Sequence, residues 1–135
     1  MKKELFLFLI LGTLILAACG GKGGSSDETS TLEPVPAEYA GRTNPLGADA
    51  ATEGAKIFKA NCETCHGPQG RGDGPAGQAL DPKPRDLSEL QARVEDDYLF
   101  WRIAEGKPGT SMVAWKGILT DEQIWRAVAF IRTLK

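Results

Sequence analysis

Five consecutive residues, Cys62-Glu63-Thr64-Cys65-His66, constrain this chain more than any other feature. They set two thiols three positions apart with an imidazole directly after the second, so a single helical turn can gather all three. The composition narrows what such a cluster can hold: the chain has three Cys, one His and two Met among 135 residues. A zinc site needs four ligands, and beyond Cys19, which is expected to be lipidated, only three plausible soft ones stand here. A thioredoxin-like C-x-x-C needs a strand-helix-strand setting, yet no segment shows convincing two-residue alternation. A plain disulfide explains neither the adjacent His66 nor a thin core.

C-x-x-C-H is the attachment signature of c-type haem. In that reading Cys62 and Cys65 form thioethers with the two vinyl groups, and His66 binds the iron from beneath the ring. One covalent haem c also answers a packing problem. The folded domain is expected over residues 48–135, and a domain that small is marginal by surface-to-volume scaling unless something apolar fills it. A lone His excludes bis-His ligation within the chain. Met1 belongs to an expected leader, so the sixth ligand falls by elimination to Met112. That residue follows Gly106-Lys107-Pro108-Gly109-Thr110-Ser111 in a loop, not on a helical core face. His/Met ligation raises the haem potential and closes the iron to outside ligands.

Residues 1–18 read as an address: Lys2 and Lys3, an apolar run from Leu5 to Leu16, then Ala17 and Ala18. The run is shorter than the ~20 residues a membrane span needs and fits a secretory signal. Leu16-Ala17-Ala18-Cys19 resembles a lipobox, which makes Cys19 the expected lipidation site and the extracytoplasmic face of the membrane the expected location. Residues 19–47 are expected to be a flexible linker, Gly/Ser-rich at first and Pro-rich toward the end, with a coil span of roughly 26–32 Å. Alternatively the part from Pro34 to Leu46 is ordered against the domain or a neighbour, with Tyr39 and Leu46 as its few apolar handles. A formal net charge of −2 lacks the basic footprint of a nucleic-acid binder.

The domain itself reads as all-α. Thr52 to Cys62 forms a short amphipathic helix, and Gly54 within it suits close helix contact. Asp96 to about Glu105 is helical and ends at Gly106. Thr120 with Gln123 makes a capping box, after which Ile124, Ala127, Val128, Ile131 and Leu134 recur at helical spacing. Trp101 and Trp115 are core residues or walls of the haem pocket. Lys83 and Arg85 are surface charges or partners of a propionate.

In this order of elements, the stretch from about Thr52 to Leu134 resembles a class I monohaem cytochrome c. The resemblance implies first and last helices that cross closely, with Gly54, Phe58, Trp125 and Val128 in matching places. Gly72-Asp73-Gly74-Pro75 resembles the loop whose proline carbonyl accepts a hydrogen bond from the haem-ligating His. That role passes by resemblance to Pro75, with Pro82 and Pro84 as the alternatives. The chain departs from the family in having Met112-Val113 where Met-Pro is common, which restores an N–H and loosens φ. Residues Pro36 to Leu46 resemble a stretch preceding haem domains associated with alternative complex III in filamentous phototrophic bacteria.

The resemblance implies a membrane-tethered carrier of single electrons, not an enzyme by itself. Its expected partners are a redox donor and acceptor, such as a quinol-oxidising complex and a terminal oxidase or reaction centre. Two other readings stand beside it: a fixed subunit of a respiratory or photosynthetic complex, and a haem enzyme or gas sensor in which Met112 leaves the iron.

Overall fold

The computed structural model describes residues 32–47 and 49–135. The expected leader 1–18, the lipidation site Cys19 and the first part of the linker lie outside the described residues. Among those described, no helix is long and apolar enough to cross a membrane.

The described domain is built from helices: α1 (Ala50–Asn61), α2 (Glu63–His66), α3 (Leu87–Leu90), α4 (Asp96–Glu105) and α5 (Asp121–Ile131), with a 3₁₀ turn at Gly77–Ala79. The all-α expectation holds over these residues. The third helix is one the periodicity did not predict. Asp86 caps it, its carboxylate accepting from the N–H groups of Ser88 and Glu89 at 2.8 and 3.1 Å.

Helix α1 turns Gly54 and Phe58, four positions apart and so on one face, into the core. Helix α5 starts on the capping box foreseen from sequence: Thr120 Oγ1 accepts from Gln123 N at 3.2 Å and Gln123 Oε1 accepts from Thr120 N at 2.9 Å. Its buried face carries Ile124, Trp125, Ala127, Val128 and Ile131.

The two terminal helices pack on each other. Gly54 lies against the Arg126 carbonyl, with Phe130 Cβ 3.0 Å from where a Cβ would stand. The Phe58 and Phe130 rings are 5.0 Å apart. Trp125, matched to this crossing by the resemblance, packs on Phe100 of α4 at 4.3 Å between centroids. Phe130 takes the place beside α1 because it follows Arg126 by four residues and so shares its face.

The linker expected through residue 47 gives way to ordered chain at Glu33, which belongs to the same compact unit as the helical domain. We call residues 33–47 the strap. Tyr39 is only 4% exposed and packs on Phe100, with ring centroids 6.1 Å apart. Gly41 N–H donates to Asp97 at 2.7 Å, Asn44 N–H to Asp96 at 3.1 Å, and the Asn44 amide to the Trp125 carbonyl at 2.8 Å. Glu33 pairs with Arg102. Composition suggested coil because few residues here are apolar. The strap is held instead by polar partners on α4 and α5 that no local pattern reveals.

Candidate haem site

Helix α1 runs almost directly into the site. The Cys62 N–H closes on the Phe58 carbonyl at 2.8 Å, and the Cys62 carbonyl then accepts from Cys65 and His66 at 3.1 and 2.9 Å. The motif is therefore one tight helical turn, ended by Gly67 at φ +77°. The loop behind it is bonded to the turn's own carbonyls: Gly72 N–H to His66, Gly74 N–H to Cys65 and Ala76 N–H to Thr64, at 2.8, 3.2 and 3.0 Å. Gly74 and Gly77 sit against those carbonyls with no room for a side chain.

Cys62, Cys65 and His66 are each half-buried, and the two thiols are not joined in a disulfide. Burial, with a smaller contribution from neighbouring Cys65, pushes the Cys62 thiol up to about 12. Burial likewise holds His66 below its ordinary value, against an opposing hydrogen bond to the Arg85 backbone carbonyl, so a neutral imidazole is favoured. Its Nδ1 lies 3.3 Å from the Arg85 carbonyl. That leaves Nε2 as the nitrogen available to iron.

The contact of Nδ1 here is with Arg85, where the resemblance implies the carbonyl of Pro75, or of Pro82 or Pro84. Pro75 is exposed, Pro82 is exposed, and the Pro84 carbonyl lies against Gly72. The acceptor belongs to the residue after Pro84, just before the Asp86 cap of α3, so the cap fixes the backbone that faces the imidazole. The sequence signal was the unrecognised cap: Asp86 with Glu89 three residues on.

Met112 is half-buried in the loop between α4 and α5. Its N–H lies 3.1 Å from Thr110 Oγ1, and its carbonyl accepts from Lys107 N–H at 2.9 Å. Downstream the loop is clipped to the end of α4, Trp115 N–H to Ile103 O at 3.1 Å and Lys116 N–H to Ala104 O at 3.0 Å. Gly106, at φ +67°, lies against the Met112 and Val113 backbone. Trp101 is buried in the α4 core and Trp115 is half-buried.

The donor set fits haem c: two unpaired thiols, an imidazole with Nδ1 already engaged, and a thioether in a separate loop. Two further features mark the Met112 loop and helix α4. Val113 and Ile118 of the Met112 loop are 57% and 68% exposed, apolar surface left uncovered. Arg102, whose guanidinium stacks on Trp101 at 3.8 Å, keeps a buried Nε with no hydrogen-bond partner. Sequence reasoning did not single out Arg102. Among the described residues no three His, Cys, Asp or Glu side chains gather as a metal site of their own.

Comparison with known proteins agrees with this geometry. The family profile described as cytochrome c oxidase, cbb3-type, subunit III matches residues 49–131. Cytochrome c6 of Thermosynechococcus vestitus is 34% identical over 86 residues, 64% of this chain and 70% of that protein. The cbb3-type cytochrome c oxidase subunit FixP of Bradyrhizobium diazoefficiens is 32% identical over 116 residues, 84% of this chain but 38% of FixP. Among solved structures, the KustC0563 c-type cytochrome is 31% identical with a TM-score of 0.50, covering 61% of this chain and 96% of that one. A chain of the Kuenenia stuttgartiensis reducing HAO-like protein complex shares the fold at a TM-score of 0.58 and 24% identity. That match covers 78% of this chain and about half, 53%, of the other.

Proposed function

The chain belongs to the cytochrome c family and carries one covalent haem c at Cys62 and Cys65, and on that premise we propose that it is a membrane-tethered carrier of single electrons between redox complexes. The observation that carries this reading is His66 Nδ1 at 3.3 Å from the Arg85 carbonyl, which would leave Nε2 to hold the haem iron. Bound haem c supplies reversible one-electron chemistry at its iron. The protein's part is to hold and screen it. Cys62 and Cys65 would fix the haem, and His66 and Met112 would hold its iron. The uncovered apolar residues of the Met112 loop offer a face through which partners can approach.

Cys19, after removal of residues 1–18, anchors the chain by lipid on the extracytoplasmic face of the membrane. The donor and acceptor are redox proteins; the resemblance points to a quinol-oxidising complex on one side and a terminal oxidase or reaction centre on the other. The chain catalyses no reaction of its own in this reading, since His66 and Met112 would both be taken up in holding the haem iron.

The test is the optical spectrum of the holoprotein, matured with haem-attachment machinery, before and after carbon monoxide. The expected result is a c-type spectrum with the red charge-transfer band of Met-ligated ferric haem and no immediate change with carbon monoxide when reduced. An immediate shift would overturn Met112 ligation and favour a gas-binding or catalytic haem.

A second reading, a fixed subunit of a respiratory or photosynthetic complex, draws on the ordered strap. Residues 33–47 pack on the haem domain and so take away much of the reach a shuttle would use. The matched family is described as an oxidase subunit, and FixP is named as one. Co-purification from solubilised membranes at fixed stoichiometry separates the two readings.

A further inference from the structure

From the strap we infer a role beyond tethering: Tyr39 is a positioning residue that clasps the Met112 loop to the end of α4. The clasp is a three-way contact. The Tyr39 hydroxyl donates to the Glu105 carboxylate, and Lys116 Nζ reaches Glu105 Oε1 at 3.0 Å and the Tyr39 oxygen at 3.2 Å. Glu105 is the last residue of α4, Lys116 lies four residues beyond Met112, and Tyr39 comes from the strap. Three segments distant in sequence meet at one carboxylate.

Tyr39 is well built to hold that position. It is buried, its ring packs on Phe100, and the Arg42 guanidinium lies 5.0 Å from its centroid. Tyr39 and Ala40 N–H groups both close on the Pro36 carbonyl, at 2.9 and 3.0 Å, so the strap turns at this point. The hydroxyl is therefore presented by a fixed ring on a fixed turn, not by a swinging side chain.

The Met112 loop has reason to need it. Val113 and Ala114, which follow the Met, are exposed, and neither is the proline that would stiffen the backbone there. Below Met112 the next anchors are the Trp115 and Lys116 N–H bonds to α4. The clasp secures the second of these from its side-chain end. Loosening it frees the stretch from Val113 to Lys116 to swing, and Met112 with it.

The consequence for the haem rests on the reading of Met112 as axial ligand; the consequence for the loop does not. The test compares Tyr39→Phe, which removes only the hydroxyl, with Lys116→Met and with the double variant, all as holoprotein. Two readouts are taken, hydrogen exchange at the Trp115 and Lys116 amides and the rate of carbon monoxide uptake by the reduced form. Both single variants should speed exchange at those two amides about three- to tenfold, the worth of one hydrogen bond, and raise carbon monoxide uptake by a similar factor. The double variant should add little to either. Asn44→Ala, which loosens the strap at its contact with Trp125, should leave both amides unchanged.

Unchanged protection at Trp115 and Lys116 in Tyr39→Phe overturns the clasp, as does an equal loss at every slow amide, which would mark a merely global effect. Should Tyr39→Phe fail to fold, Lys116→Met decides the matter at the same amides. Immediate carbon monoxide binding by the unaltered protein would remove Met112 from the iron and leave the exchange result to judge the clasp alone.

Discussion

Gly54 of α1 meets the Arg126 carbonyl of α5 so closely that a Cβ on Gly54 would fall far inside van der Waals contact with the oxygen. The close approach lets the Phe58 and Phe130 rings meet at a tilt beside it and seats the start of the C-x-x-C-H turn on the core. Position in the fold thus passes from a missing methyl group to the cysteines four and seven residues beyond Phe58.

Gly54→Ala should destabilise the protein despite its better helix propensity. Ala gains up to about 1 kcal/mol over Gly in a helix, but overpacking typically costs about 1–3 kcal/mol. The obstacle here is a backbone carbonyl, which cannot rotate aside as a side chain would. A net loss of about 1 kcal/mol would lower Tm by about 4–8 °C in a domain of this size. Calorimetry of the holoprotein checks it; an unchanged or raised Tm would show that the helices part without cost.

Thr120→Ala removes the oxygen that accepts from Gln123 N–H and with it half of a reciprocal cap. The expected loss is about 1 kcal/mol. The urea midpoint should fall while the slope of the transition stays the same, since the surface exposed on unfolding does not change.

The terminal helices, the capping box and the haem-attachment turn were legible because each is local. Residues at spacings of three and four announce them without reference to the rest of the chain. What was not legible is what distant segments do to one another. Tyr39 looked like a lone aromatic in a linker, but its carboxylate partner is 66 positions away. The acceptor for His66 is a backbone carbonyl, which carries no side-chain signature at all. Trp125 and Phe130 lie on adjacent faces of one helix, and periodicity alone could not say which one turns toward α1 and which toward α4.

Stability should depend on pH through Asp86. Burial alone would raise this carboxyl, but bonds from the Ser88 hydroxyl and the Glu89 and Ser88 N–H groups, with Arg71 nearby, outweigh it and hold it below its ordinary value. A carboxyl depressed in the folded state adds stability above its unfolded pKa and loses it as pH falls through the folded one. The window therefore lies below about pH 4. Asp86→Asn should flatten the decline of Tm across that window and change little at neutral pH beyond the loss of a charged cap. A decline as steep as in the unaltered protein would exclude Asp86 as its source.

Gly77→Ala tests whether the loop behind the haem turn is held by packing. A Cβ there would collide with the Cys65 carbonyl and come within 3.0 Å of Pro84 Cγ. It would wedge between a cysteine that holds the haem and the segment that supplies the His66 acceptor. Neither side yields cheaply, because one is helical backbone and the other a ring with fixed φ. The expected outcome is a lower ratio of covalent haem to polypeptide and a holoprotein with a lower Tm. Gly47→Ala is the control, since a Cβ there meets nothing within 4 Å. Equal haem content and equal thermal behaviour in the two variants would mean that the turn is held by its hydrogen bonds alone, at 2.8 to 3.2 Å from Gly72, Gly74 and Ala76.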